Sequence, residues 1–209
     1  MTARARIRDA AIARFAEEGF GVGLRAIAAD AGTSLGLLAH HFESKAGLRA
    51  ACDAHALAVM RDLKAATVTA AQPGSTLLAQ LAAIDEYGPL VGYVLRTLRE
   101  GGGTARDFVE HVAEDAETYV AAGVAAGTIV PSRDEAARIR FLVRQSLGAL
   151  VLAYTLDPVR PDETMADWFR RYAEGIVGPA LETMTEGLLA DRSMLDAYLA
   201  ARGGTTETE

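Results

Sequence analysis

Apolar residues recur along this chain at intervals of three and four, the period that places them on one side of a helix. Ile7, Ala11 and Phe15 form the first such stripe and predict a helix over about residues 3–18, closed by Gly19-Phe20. Leu24, Ile27, Ala28 and Ala31 predict a second over about 24–31, which Gly32 stops because glycine enters the left-handed region without steric cost. A short third helix over about 34–42 follows, entered through the capping hydroxyls of Thr33 and Ser34. Ser44 then opens a long fourth helix to about residue 70. Helix, three-residue turn with glycine, helix is the geometry of a helix-turn-helix.

Beyond Pro73-Gly74 the periodicity predicts amphipathic helices near 75–87, 89–100, 104–126, 133–156 and 163–188, and a short one near 192–202. Gly- and Pro-containing breaks separate most of them, and the polar tail 203–209 reads as disordered. In the 133–156 segment Ile139, Leu142, Val143, Leu147, Leu150 and Val151 share a broad face, with small residues Ser146, Gly148, Ala149 and Ala153 allowing close approach. The 163–188 segment carries Met165, Trp168, Phe169, Tyr172, Ile176, Met184 and Leu188 along another face. Pro179 falls inside it and withdraws a hydrogen bond from Gly175.

Composition agrees with helix throughout. Half of the 209 residues are hydrophobic, with alanine frequent and aromatics only 6%, a mix that loses little side-chain entropy in helices. The expectation is an all-α chain: residues 1–50 form a three-helix domain, 51–202 a larger helical domain. One cysteine, Cys52, excludes an internal disulfide. Neither a signal-like N-terminus nor an apolar run near the ~20 residues of a membrane span is evident, so the reading is soluble and cytoplasmic.

Charge sharpens this picture. The net −7 is unevenly spread: the first fifty residues carry +2 and the remainder −9. A basic-leaning end on an acidic body suits a DNA-reading head on a non-DNA body.

On a helical wheel of ~100° per residue, Leu38 and Phe42 of the third helix lie together with Leu35 near their edge, and are expected to pack on the first two helices. Gly36, Leu37 and His40 lie on the opposite arc, with Ser34 and His41 between. Glu and Lys would be expected on a merely solvated face. A glycine allowing close approach, a leucine able to meet a thymine methyl and an imidazole able to reach a base edge or phosphate fit a major groove. Thr33 and Ser34 can hold phosphate at the helix N-terminus, and Lys45 can do so from the start of the fourth helix. Arg25 on the second helix joins this candidate set.

The run from Leu24 to Leu48 (LRAIAADAGTSLGLLAHHFESKAGL), with the preceding Phe15-Ala-Glu-Glu-Gly-Phe20, resembles the DNA-binding domain of the TetR (tetracycline repressor) family. The resemblance implies that Thr33, Ser34, Gly36, Leu37, His40 and His41 lie on the recognition helix or its entry. It also implies a homodimer on a palindromic operator, joined by the last two long helices as a four-helix bundle. A pocket whose small-molecule ligand releases the operator is implied too. The chain departs from the family at Ala39, where a tyrosine is common, at Leu35, where a basic residue or proline is common, and at Gly23, where Ser or Thr is usual.

Polar or aromatic residues interrupting the middle helices are the candidate ligand contacts: Tyr93, Arg96, Phe108, His111, Tyr119, Arg144 and Tyr154. Mainly apolar surroundings point to an apolar or aromatic effector. Cys52 and His55 are too few for a metal site, and neither metal nor cofactor is expected. Glu110, Glu114 and Glu117 form a solvated face, Gly101-Gly102-Gly103 lacks the Lys-Ser/Thr of a phosphate loop, and no nucleophile–base motif emerges. The reading is a ligand-responsive repressor and not an enzyme. A DNA-binding dimer without effector, and a helical small-molecule-binding adaptor without DNA binding, stay open beside it.

Overall fold

The computed structural model describes residues 1–203, and among these every regular element is helical. They run α1 (Ala3–Glu18), α2 (Leu24–Asp30), α3 (Leu35–Phe42), α4 (Lys45–Thr69), α5 (Pro73–Ala82), α6 (Gly88–Glu100), α7 (Gly102–Ala126), α8 (Glu135–Leu156), α9 (Met165–Thr185) and α10 (Ser193–Gly203). A single 3-10 turn, Ile84–Tyr87, links α5 to α6, where periodicity alone predicts one unbroken helix.

The helix ends lie where local chemistry puts them. Thr2, Ser34, Ser44 and Asp134 each accept a backbone N–H three residues on, satisfying one of the orphan donors of a first turn. Gly19 closes α1 at φ 82°, its N–H returning to Phe15 O. Gly23 precedes α2 without a side-chain cap, as its missing hydroxyl dictates.

The chain divides into two units, Met1–Arg170 and Arg171–Glu209. In the first, one hydrophobic core runs from α1 to α8 without interruption. Ile7, Phe15, Ile27, Leu38 and Leu48 of the first four helices join Tyr93, Phe108, Val112, Ile139 and Val143 of the later ones. α4 lies against α7, and α6 against α1. The boundary expected at residue 50 falls inside α4, which belongs to both the head and the body. Gly92 permits the α1–α6 contact, because a Cβ there would sit 2.9 Å from Ala16 Cβ. An aromatic cluster fills the same joint: Phe20 stands edge-on to Tyr93 at 5.7 Å and 5.2 Å from Phe15.

α8 is long and apolar enough to cross a membrane by length and composition alone, which the sequence reading did not anticipate. Its inner stripe, Ile139, Val143 and Leu147, is part of the core, while Phe141, Leu152 and Leu156 stand exposed on another side. Trp168, at the start of α9, is buried, stacks edge-on against Tyr154 and donates from Nε1 to Asp157 O at 2.7 Å.

The second unit holds the remainder of α9 and α10. Pro179 lies within α9, as expected, and Leu181, Met184, Leu188, Met194, Leu195 and Tyr198 are exposed. The tail expected to be disordered lies, from residue 204 on, outside the described residues.

Candidate nucleic-acid interface

α3 is held by one face and offered by the other. Leu38 and Phe42 are fully or almost fully buried, at 0% and 4% exposure. Gly36, Leu37, Ala39 and His40 are exposed, and His41, half-buried, lies between the rings of His40 and Phe42. The anchoring apolar pair and the outward Gly, Leu and His thus separate as the wheel predicts. Leu35 does not follow: it is 40% exposed and adds to the outer apolar surface. One residue into the helix, it lies short of the α1–α2 surface that Leu38 and Phe42 reach, so its edge position on the wheel resolves outward.

The entry to α3 presents Thr33 half-buried and Ser34 exposed. The Ser34 hydroxyl accepts from Leu37 N at 3.1 Å, which spends its acceptor on the helix and leaves its O–H to donate outward. Gly32, at φ 59°, makes the turn between α2 and α3. Lys45 opens α4 just after the Ser44 cap, and Arg25 is exposed on α2. Arg4 belongs with them. Its guanidinium lies 5.1 Å over the Phe42 ring, at the far end of α3, and no sequence period announces a contact between residues so far apart. Other cations of the head are spent internally: Arg14 binds Asp30 and Glu18, and Arg49 binds Glu100 while stacking 3.6 Å from the Phe20 ring.

The seven candidate ligand contacts do not converge. Tyr93 is fully buried in the α1–α6 joint, its hydroxyl donating to Asp53 Oδ1 at 2.6 Å. Burial lifts the Asp53 carboxyl above its ordinary range, against the opposing pull of Tyr93 and Arg49. Arg96 donates to Glu17 O, closing the end of α1. Phe108 is core. His111 and Arg144 are exposed, and Tyr154 packs on Trp168 with Arg99 over its ring.

Tyr119 alone among them lines a cavity. This space of about 60 Å³ lies between α4, α7 and α8. Leu57, Met60, Val112, Val143 and Leu147 supply its apolar walls, and Arg61, Lys64, Asp115 and Ser146 its other polar groups. Leu57, Met60, Arg61 and Lys64 form an i, i+3, i+4, i+7 stripe of α4, a pattern that reads equally as core from sequence. Among the described residues no group of three or more His, Cys, Asp or Glu forms a metal site.

Comparison with known proteins bears on both halves. Residues 7–52 match the model of bacterial regulatory proteins of the tetR family, and residues 85–190 that of the tetracyclin repressor-like C-terminal domain. The chain is 47% identical over 200 residues to the HTH-type transcriptional regulatory protein RaaS of Mycobacterium tuberculosis, covering 96% of this chain and 93% of that one. Among solved structures it resembles a TetR-family regulator from Pectobacterium atrosepticum, with TM-score 0.55 and 26% identity over 90% of this chain and 94% of the other. It also resembles a TetR regulator from Chloroflexus aurantiacus, with TM-score 0.53 and 26% identity over 88% and 94%.

Proposed function

Since this chain belongs to the tetR family of bacterial regulatory proteins and is a DNA-binding transcriptional regulator, we propose that it is a cytoplasmic homodimeric repressor that leaves a palindromic operator when a small molecule binds its body. The observation that carries this reading is the outward face of α3. It presents Gly36, Leu37 and His40 to solvent on a helix anchored from behind by Leu38 and Phe42. Leu37 contacts a thymine methyl and His40 a base edge, while Ser34, Arg25 and Lys45 fix the register on phosphates.

Pairing brings two such helices to successive major grooves, about 34–36 Å apart on one face of the duplex. The exposed apolar residues of α8 support pairing through that helix, with α9 completing a four-helix bundle. α4 supports ligand control, because it begins beside the recognition helix and goes on to line the cavity. A ligand favouring one position of α4 over another shifts operator affinity by its own differential affinity, commonly ~1–3 kcal/mol.

The test is a fluorescence-anisotropy titration of the full chain with the DNA upstream of its own coding sequence. Leu37→Ala and His40→Ala are expected to weaken specific binding about tenfold each, with unchanged melting temperature, since neither side chain is buried. Wild-type binding no tighter to that DNA than to a scrambled duplex would reject the operator reading.

A further inference from the structure

The α4–α7–α8 cavity joins apolar walls to one cation that nothing in the chain compensates. Arg61, one helical turn before Lys64, is offset by Asp62 at 3.0 Å and by Asp115 at 3.7 Å. Lys64 has neither a hydrogen bond nor an ion pair among the described residues. Its side chain keeps accessible surface, yet the ammonium is enclosed by protein, and burial alone draws it below the ordinary lysine range. A desolvated, unpaired ammonium is costly. In a cavity otherwise walled by leucine, valine and methionine that cost is relieved by an incoming anion.

The other polar groups leave that role to Lys64. Ser146 spends its hydroxyl on Leu142 O at 2.7 Å, and Asp115 already faces Arg61. The Tyr119 hydroxyl, kept protonated by burial and by Asp115, remains a neutral donor at the same wall.

Resting on the regulator reading for its consequence, we propose that the effector of this chain is an amphipathic monocarboxylate. Its head group pairs with Lys64 and its apolar tail lies along Met60, Leu57, Val112 and Leu147. A cavity of about 60 Å³ holds the carboxylate and its first few carbons, the rest of the tail passing out through the open side.

The probes are octanoate, 1-octanol and octylamine, which share a tail and differ in head charge, titrated calorimetrically into the full-length protein. Octanoate is expected to bind the wild type about tenfold or more tighter than octanol, and octylamine weakest. Lys64→Met should lose that preference while binding octanol at least as well, and Lys64→Arg should keep it. Removing an uncompensated cation leaves Lys64→Met at least as heat-stable as the wild type, so its loss of binding is not a loss of fold. Equal binding of octanoate and octanol, octanoate binding indifferent to Lys64→Met, or no binding by any probe each overturns the assignment. Operator affinity is measured separately. Lys64-dependent binding that leaves the operator complex intact upholds the ligand class and rejects release, whereas failure to bind operator at all rejects the regulator reading alone.

Discussion

Gly47 occupies the narrowest passage in the head, where the first turn of α4 crosses the end of α3. A Cβ at this position would lie 2.3 Å from Phe42 O, a backbone atom that has no rotamer to escape into. Gly47→Ala therefore has to push α4 off α3 and disturb the seat of Phe42. The expected cost is about 2 kcal/mol or more in urea denaturation, the magnitude of core overpacking; a change under 0.5 kcal/mol would mean that the turn relaxes freely. Asp53 makes a second prediction. Its carboxyl is raised by burial, so the stability it contributes is complete below the unfolded carboxylate range and is lost as pH rises through the higher folded value. Asn accepts the same Tyr93 bond without charge. Asp53→Asn is expected to match the wild type in acid and to gain on it as pH rises through that window. Denaturation at a series of pH values decides it, and a wild type that instead gains on the variant would show that Arg49 outweighs desolvation. Neither residue announces its role in the sequence. Tyr93 reads there as a ligand contact because a hydroxyl interrupts an apolar face, and its acceptor lies 40 residues away.

Helix boundaries were legible because what sets them is local: a capping hydroxyl, a glycine with positive φ, a three-to-four periodicity. Faces were legible only where one side of a helix is apolar. α3 divides cleanly, and its outer arc was read from seven or eight residues. α8 is apolar on more than one side, so its wheel yields the broad face of Ile139, Val143 and Leu147 but not Phe141, Leu152 and Leu156 opposite. The two faces need separate partners. One packs in the core; the other is the surface assigned to the second protomer, and together they give α8 its membrane-like composition. Leu152→Glu, at a position already 58% exposed, should leave the melting temperature of the isolated subunit nearly unchanged. It should move the protein from dimer to monomer in sedimentation, and operator affinity should fall with it. A dimer that survives both Leu152→Glu and Phe141→Glu would place the interface elsewhere.

Across the whole molecule the net charge of −7 hides a head at +2 and a body at −9, so the body repels the duplex that the head binds. Arg4, Arg25 and Lys45 remain for phosphate once Arg14 and Arg49 are discounted as internally paired. Six such contacts in a dimer give a slope of log affinity against log salt of about −5. Lys45→Ala, altering both subunits, should reduce its magnitude by about 2 and weaken specific and non-specific DNA alike. Leu37→Ala should lower specific affinity by the same factor at every salt and leave the slope alone, because a methyl contact releases no counterion. The acidic body adds a second signature. At 0.1 M salt its field is screened within about 10 Å, but at 0.01 M it reaches about 30 Å and opposes the approach of the duplex. The slope should therefore flatten toward low salt, and most for non-specific duplex, whose binding is almost wholly electrostatic. Titrations of operator and scrambled DNA from 0.01 to 0.3 M salt resolve both effects. A scrambled-duplex slope as steep at the low end as at the high end would mean that the body's charge is held too far from the DNA to be felt.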